Sequence, residues 1–244
     1  AFRLRPRKPC GRGHNAPPRN KVAFTETDDL DSYFDKVLGL GVPVYVAGEF
    51  PGGGSRRDYL HWLERGAYGI QVGSRFALCS DSGMRPDLRD AVIEANRRGE
   101  LEVVTDLRLS PTGYPFKRVT VPGTLSDPRV YAARPRACNR MHLARSVFQE
   151  QSDGTVKEAY ICPAMPEKRF LSLGGNPADL EGRVCLCNAL LSTAGFYSDV
   201  EPPIVTLGES GLQVKELLSA RQVMEEILTP EYVAQAEKEL TEPT

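Results

Sequence analysis

Tyr68-Gly69-Ile70-Gln71-Val72-Gly73-Ser74-Arg75-Phe76 sets the frame for the chain. Tyr68 to Val72 reads as a short buried strand that runs straight into a glycine and a hydroxyl residue. Before it, Ser55 to Arg65 reads as a helix. Ser55 and Asp58 make a capping box, Leu60 and Leu63 begin the buried face, and Gly66 closes the helix. Further upstream, Val42-Pro43-Val44-Tyr45-Val46-Ala47-Gly48 is a nearly continuous apolar run, as expected of a parallel strand covered on both faces. A helix capped by Asp28 or Asp29 precedes it and runs to about Leu38, with Leu30, Phe34, Val37 and Leu38 on one face. The order is therefore helix, strand, glycine loop, helix, strand, glycine loop, which makes two consecutive βα units of a parallel sheet or barrel. Loops at such strand ends can offer backbone N–H groups to an anion, and a serine hydroxyl adds one more donor. Glycine followed by serine is equally ordinary turn chemistry, and the pattern alone leaves both readings open.

A third helix fits Pro86 to Arg97, ended by Gly99. Beyond it the rhythm changes. Leu101 to Thr105 and Phe116 to Val121 read as strands. From Thr124 to about Pro203 there is little periodicity and many Pro, Gly and Asn breaks. Leu212 to Leu240 turns helical again. These shifts divide the chain into a basic irregular segment at 1–22, the βα units at 23–100, and an irregular extension with C-terminal helices at 101–244. No internal repeat is evident.

The chain has 244 residues, 41% hydrophobic and 26% charged, with a formal net charge of −1. A sizeable core is possible, and no global field draws the chain to nucleic acid or to a membrane surface. Arg3, Arg5, Arg7, Lys8, Arg12 and Arg19 precede the first acid, Glu26, and read as a solvated arm. No apolar run approaches a membrane span, and no apolar core follows the basic start as in a signal peptide. A cytoplasmic setting with reduced thiols is therefore expected for the six cysteines. Cys138, Cys162, Cys185 and Cys187 fall in the irregular stretch. Cys-x-Cys with two distant partners lacks the usual spacing of zinc ligands, so buried free thiols and no metal are expected. His14 follows two glycines and precedes a double proline. The pattern suits a loop histidine that a ligand can approach, or one that is merely exposed.

Four segments together resemble the nitronate monooxygenase family, once called 2-nitropropane dioxygenases, which are FMN-dependent (β/α)8 barrels. Gly11-Arg12-Gly13-His14-Asn15-Ala16-Pro17-Pro18-Arg19 is similar to the family's Gly-Gly-His segment, although Arg12 stands where the family has glycine. Val46-Ala47-Gly48 resembles a strand end whose loop meets the FMN phosphate. Gly69 to Phe76 is similar to the next phosphate loop. Ser110 to Phe116, Cys185 to Leu190 and Glu201 to Thr206 resemble the C-terminal extension of longer members.

The resemblance implies an α/β fold: a partial FMN-binding TIM-type barrel built from C-terminal βα units, with an irregular C-terminal extension. It implies His14 as the catalytic residue, and Gly48, Gln71, Gly73 and Ser74 around the FMN phosphate. The implied reaction oxidises an alkyl nitronate or nitroalkane with O2 to a carbonyl compound plus nitrite. The matching segments correspond to one half of the family barrel. A homo-oligomer, or pairing with a separate N-terminal half, is therefore expected, because open strand edges seek partners. Two other readings are kept. One is an inactive homologue serving as a binding or interaction module, and the other is a related flavin-dependent enoyl reductase.

Overall fold

Ser55 and Asp58 form the capping box expected at the start of α2 (Arg56–Glu64). The Asp58 carboxylate accepts from the N–H groups of Gly54 (2.9 Å) and Ser55 (3.0 Å), which have no intrahelical acceptor. The computed structural model describes residues 2–4, 31–47, 53–228, 230 and 231, with the backbone alone at 2–4 and 31–33. The chain divides into two units: 1–103 with 207–244, and 104–206.

In unit 1, β1 (Phe2–Leu4), β2 (Val44–Ala47) and β3 (Gly69–Gln71) form one sheet in the order β1-β2-β3, and both pairings are parallel. Val46 lies opposite Leu4 on one side and Ile70 on the other. α1 (Asp31–Leu38) and α2 connect the strands. Phe34, Val44, Val46, Trp62 and Ala67 form a core between them, as the apolar run and the helix face require. α3 (Ser74–Ala77) is one turn long and follows β3 directly. α4 (Pro86–Arg98) starts with proline at its first position and ends at Gly99 in the left-handed conformation (φ 70°). α8 (Ala220–Ile227) belongs to the same unit. Its Val223 and Ile227 pack with Cys79, and Ile70, Val72 and Phe76 close around them.

Unit 2 contains two small sheets. β4 (Val103–Asp106) pairs with β5 (Phe116–Val119), and β6 (Arg145–Glu150) forms an antiparallel hairpin with β7 (Val156–Ile161). The helices are α5 (Pro128–Ala133), α6 (Glu167–Ser172) and α7 (Leu186–Thr193). Two cores hold this unit. One gathers Leu109, Leu125, Val184, Leu186, Ala189 and Ile204. The other gathers Ile161, Met165, Phe170 and Leu180 with Cys162 and Cys185.

The architecture is mixed α/β, built of small sheets and helices. Among the described residues the parallel sheet has three strands, and a closed barrel is not formed. The stretch from Thr124 to Pro203, expected to show little regularity, contains a hairpin, three short α-helices and a 3-10 turn at Pro177–Leu180. Its elements are too brief for periodicity to register, since α5 and α6 have six residues each. No helix among the described residues is long and apolar enough to cross a membrane.

Candidate functional site

The C-terminal end of β3 carries the residues singled out from the sequence. Gln71 is its last residue and is exposed. Gly73 follows at φ −114°, ψ −60°, and a Cβ placed on it would meet nothing within 4 Å. Its backbone is open to an approaching group, although the conformation itself does not demand glycine. Ser74 begins α3, which no side chain caps. The first N–H groups of a helix have no intrahelical acceptor and are the donors an anion would meet here, beside the exposed Gly73. With a single turn behind them, the macrodipole is small, and the hydrogen bonds themselves would do the holding.

Ser74 has a role that the sequence did not suggest. It is buried, and its Oγ accepts from the Gly208 N–H at 2.8 Å. The hydroxyl is thus an anchor for a segment 134 residues away, with its own O–H proton still available to donate. That segment continues into a 3-10 turn, Glu209–Gln213, which packs on both loops. A Cβ on Gly211 would touch the Ser74 Cβ at 3.4 Å, and one on Gly53 would strike Gln213 at 2.7 Å. The end of the loop after β2 and the start of α3 therefore share one support.

Asn96 fixes that support. It is buried, and its Nδ2 donates to the carbonyls of Gly211 (2.7 Å) and Val214 (2.9 Å). Arg75 pairs with Glu226 of α8, and Arg56 donates to the Glu225 carbonyl at 2.7 Å, so α8 is tied to both loops as well. Asn96→Ala would leave two carbonyls without their donor. It is expected to cost about 2–3 kcal/mol, with faster amide exchange confined to residues 208–214; unchanged exchange there would remove Asn96 from this role. None of Gly208, Gly211 or Asn96 carries a sequence signal for the site, because each contact spans over a hundred residues.

His14 and Gly48 lie outside the described residues. Gln71, Gly73 and Ser74 are brought together by β3 and α3. Of the three, Gly73 is the open position, Gln71 flanks it, and Ser74 faces inward.

No family model and no curated protein matches this chain. Among solved structures, a point mutant of FabK from Thermotoga maritima aligns with 96% of this chain and 52% of its own length, at 16% identity and a TM-score of 0.41. The chain thus spans about half the length of that protein.

Proposed function

We propose that unit 1 carries the phosphate-binding part of a flavin site, and that the protein is an FMN-dependent oxidoreductase of the nitronate monooxygenase type. The observation that supports this best is the open, uncapped start of α3 at Gly73, at the C-terminal end of a parallel strand. Barrel enzymes commonly hold a phosphate on the loops of two neighbouring strands and the N-terminus of a short extra helix, and α3 has that length and place. The resemblance of Gly69 to Phe76 to a flavin phosphate loop points the same way.

In this reading the amides from Gly73 to Phe76 hold the phosphate and Gln71 flanks it. Ser74 keeps the loop seated on the 208–213 turn. Bound FMN would supply the electron acceptor. His14 would orient the nitronate, or form it from a nitroalkane by taking the proton next to the nitro group, a task that suits an imidazole because its ordinary pKa lies near neutrality. The substrate would be an alkyl nitronate, and O2 would complete its conversion to a carbonyl compound plus nitrite. The three described parallel strands need further wall, from a second copy or a separate N-terminal half.

The test is FMN binding to Gly73→Asp. The backbone at Gly73 accepts any L residue and the site has room, so the variant is expected to fold normally. Its carboxylate would meet the phosphate and weaken FMN binding by at least about tenfold, roughly 1.4 kcal/mol. Equal affinity in variant and wild type would refute the phosphate assignment. Wild-type protein that binds no FMN at tens of micromolar, about 6 kcal/mol of binding, would favour the non-catalytic homologue instead.

A further inference from the structure

Four of the six cysteines converge at one place in unit 2. We propose that Cys138, Cys162, Cys185 and Cys187 are the ligands of a structural zinc ion.

Three separate pieces of chain deliver the thiols. Cys162 directly follows β7, and Cys138 lies a few residues before β6, so the hairpin brings its two ends together. Cys185 is the N-cap of α7, and Cys187 lies in the first turn of that helix. The Cys138 side chain lies beside those of Cys162 and Cys185, and Cys185 lies beside Cys187, all four in one packed cluster. Among the described residues no three or more His, Cys, Asp or Glu side chains are placed to hold a metal ion as they stand, so the four thiols would have to draw together around one. The thiols run instead as an open chain of contacts, 162–138–185–187. Protonated thiols can hold one another in this way. Four thiolates repel and need a cation to close around, so closure is expected to accompany binding and proton release.

Polar neighbours surround the four sulfurs. Each sulfur lies near at least one backbone N–H: Cys138 near that of Met141, Cys162 near Ala164, Cys185 near Asn188, and Cys187 near His142 and Leu143. In a metal site such groups hold and tune the sulfurs. Zn2+ with four thiolates carries a net charge of −2, and Arg169 beside Cys138 and His142 beside Cys187 face that charge. The α7 N-terminus adds its positive end at Cys185 and Cys187. Cys162 and Cys185 are buried while Cys138 and Cys187 are half-buried, which leaves a route for the ion from one side.

Zinc also answers a folding problem. The sheets of unit 2 have two strands each, and its longest helix has eight residues. Isolated two-stranded sheets are marginal in water, and a metal crosslink is a common remedy in small, loop-rich units. An all-sulfur tetrahedral set suits zinc or iron, and zinc is the choice where no electron has to move.

The test is the metal content of the full chain, purified without chelators from zinc-supplemented cells. Wild type and Cys79→Ser, whose thiol lies in unit 1, are expected to hold about one zinc per chain. Cys162→Ser and Cys187→Ser are expected to fall below about a tenth of an equivalent. Loading with Co2+ should give the visible bands of a tetrahedral thiolate site. After chelation in denaturant, all six cysteines should titrate as free thiols. Wild-type zinc below about a tenth of an equivalent, iron in its place, or a missing pair of thiols that marks a disulfide would each overturn the proposal.

Discussion

Replacing Trp62 with alanine is expected to remove about 3–5 kcal/mol from the stability of unit 1. Trp62 is 2% exposed and sits where α1, α2 and the parallel sheet meet. Its ring tilts against Phe34 at a centroid distance of 5.1 Å, and Phe34 is fully buried. Arg65 spans both rings, 4.8 Å from the Trp62 centroid and 4.9 Å from that of Phe34. Alanine would open a cavity larger than neighbours drawn from separate elements can fill. It would also take away one of the two rings against which the Arg65 guanidinium lies. Whole domains are stable by about 5–15 kcal/mol, so a loss of this size should leave unit 1 partly unfolded at ambient temperature. Trp62→Phe keeps an aromatic partner for Phe34 and is expected to cost about half as much.

Because Trp62 is the sole tryptophan, the readout has to be independent of its fluorescence. Amide exchange followed by mass spectrometry serves, with peptides from 31–47 and 56–71 expected to lose protection. Protection unchanged in those peptides would show that the cluster is not the keystone of the unit.

What the sequence disclosed follows the range of the forces involved. α2 and α4 were legible because their signals are local: a capping box at Ser55 and Asp58, proline at position 86, glycine at 99. β2 was legible because a strand buried on both faces is apolar throughout. The hairpin β6–β7 was not, because both its strands lie mostly at the surface, and Phe148, Val156 and Tyr160 are exposed on it. Alternation carries information only where one face is buried. The signal that could have revealed it is Asp153-Gly154. The Asp153 carboxylate accepts from the Thr155 N–H (3.0 Å), and Gly154 takes φ 78°, as a tight hairpin loop requires.

The candidate site divides along the same line. Gly73 could be found, since a glycine at a strand end is a local feature. The inward role of Ser74 could not, since its partner Gly208 lies 134 residues on. The cysteines show the limit from the other side. Their linear spacing gave no sign that they lie together, because spacing speaks only for residues on one turn. Here a hairpin and a helix N-terminus bring them together.

Phe170→Ala and Gly175→Ala are each expected to damage unit 2, and together to cost less than the sum of their separate effects. Phe170 is 2% exposed on α6, in the core that includes Cys162, Cys185, Met165 and Leu180. Removing the ring should cost about 3–5 kcal/mol. α6 ends with the Gly174 N–H donating to Leu171 O (3.0 Å) and the Gly175 N–H to Phe170 O (3.0 Å), with Gly174 at φ 81°. This is a Schellman closure, and it folds the backbone of Gly175 back over the Phe170 ring. A Cβ on Gly175 would fall inside the van der Waals surface of that ring. The ring is enclosed and cannot swing away, so Gly175→Ala should cost about 1–3 kcal/mol through overpacking.

In the double variant the ring is gone, and the new methyl occupies part of the cavity. The cycle should then show a favourable coupling of about 1 kcal/mol or more, as expected for residues in direct contact. Denaturant unfolding of the four proteins gives the coupling, and amide exchange of peptides from 162–186 localises it to this core. Strict additivity would mean that Gly175 is not held against the ring. A Gly175→Ala variant as stable as wild type would show that the closure has room that this packing denies it.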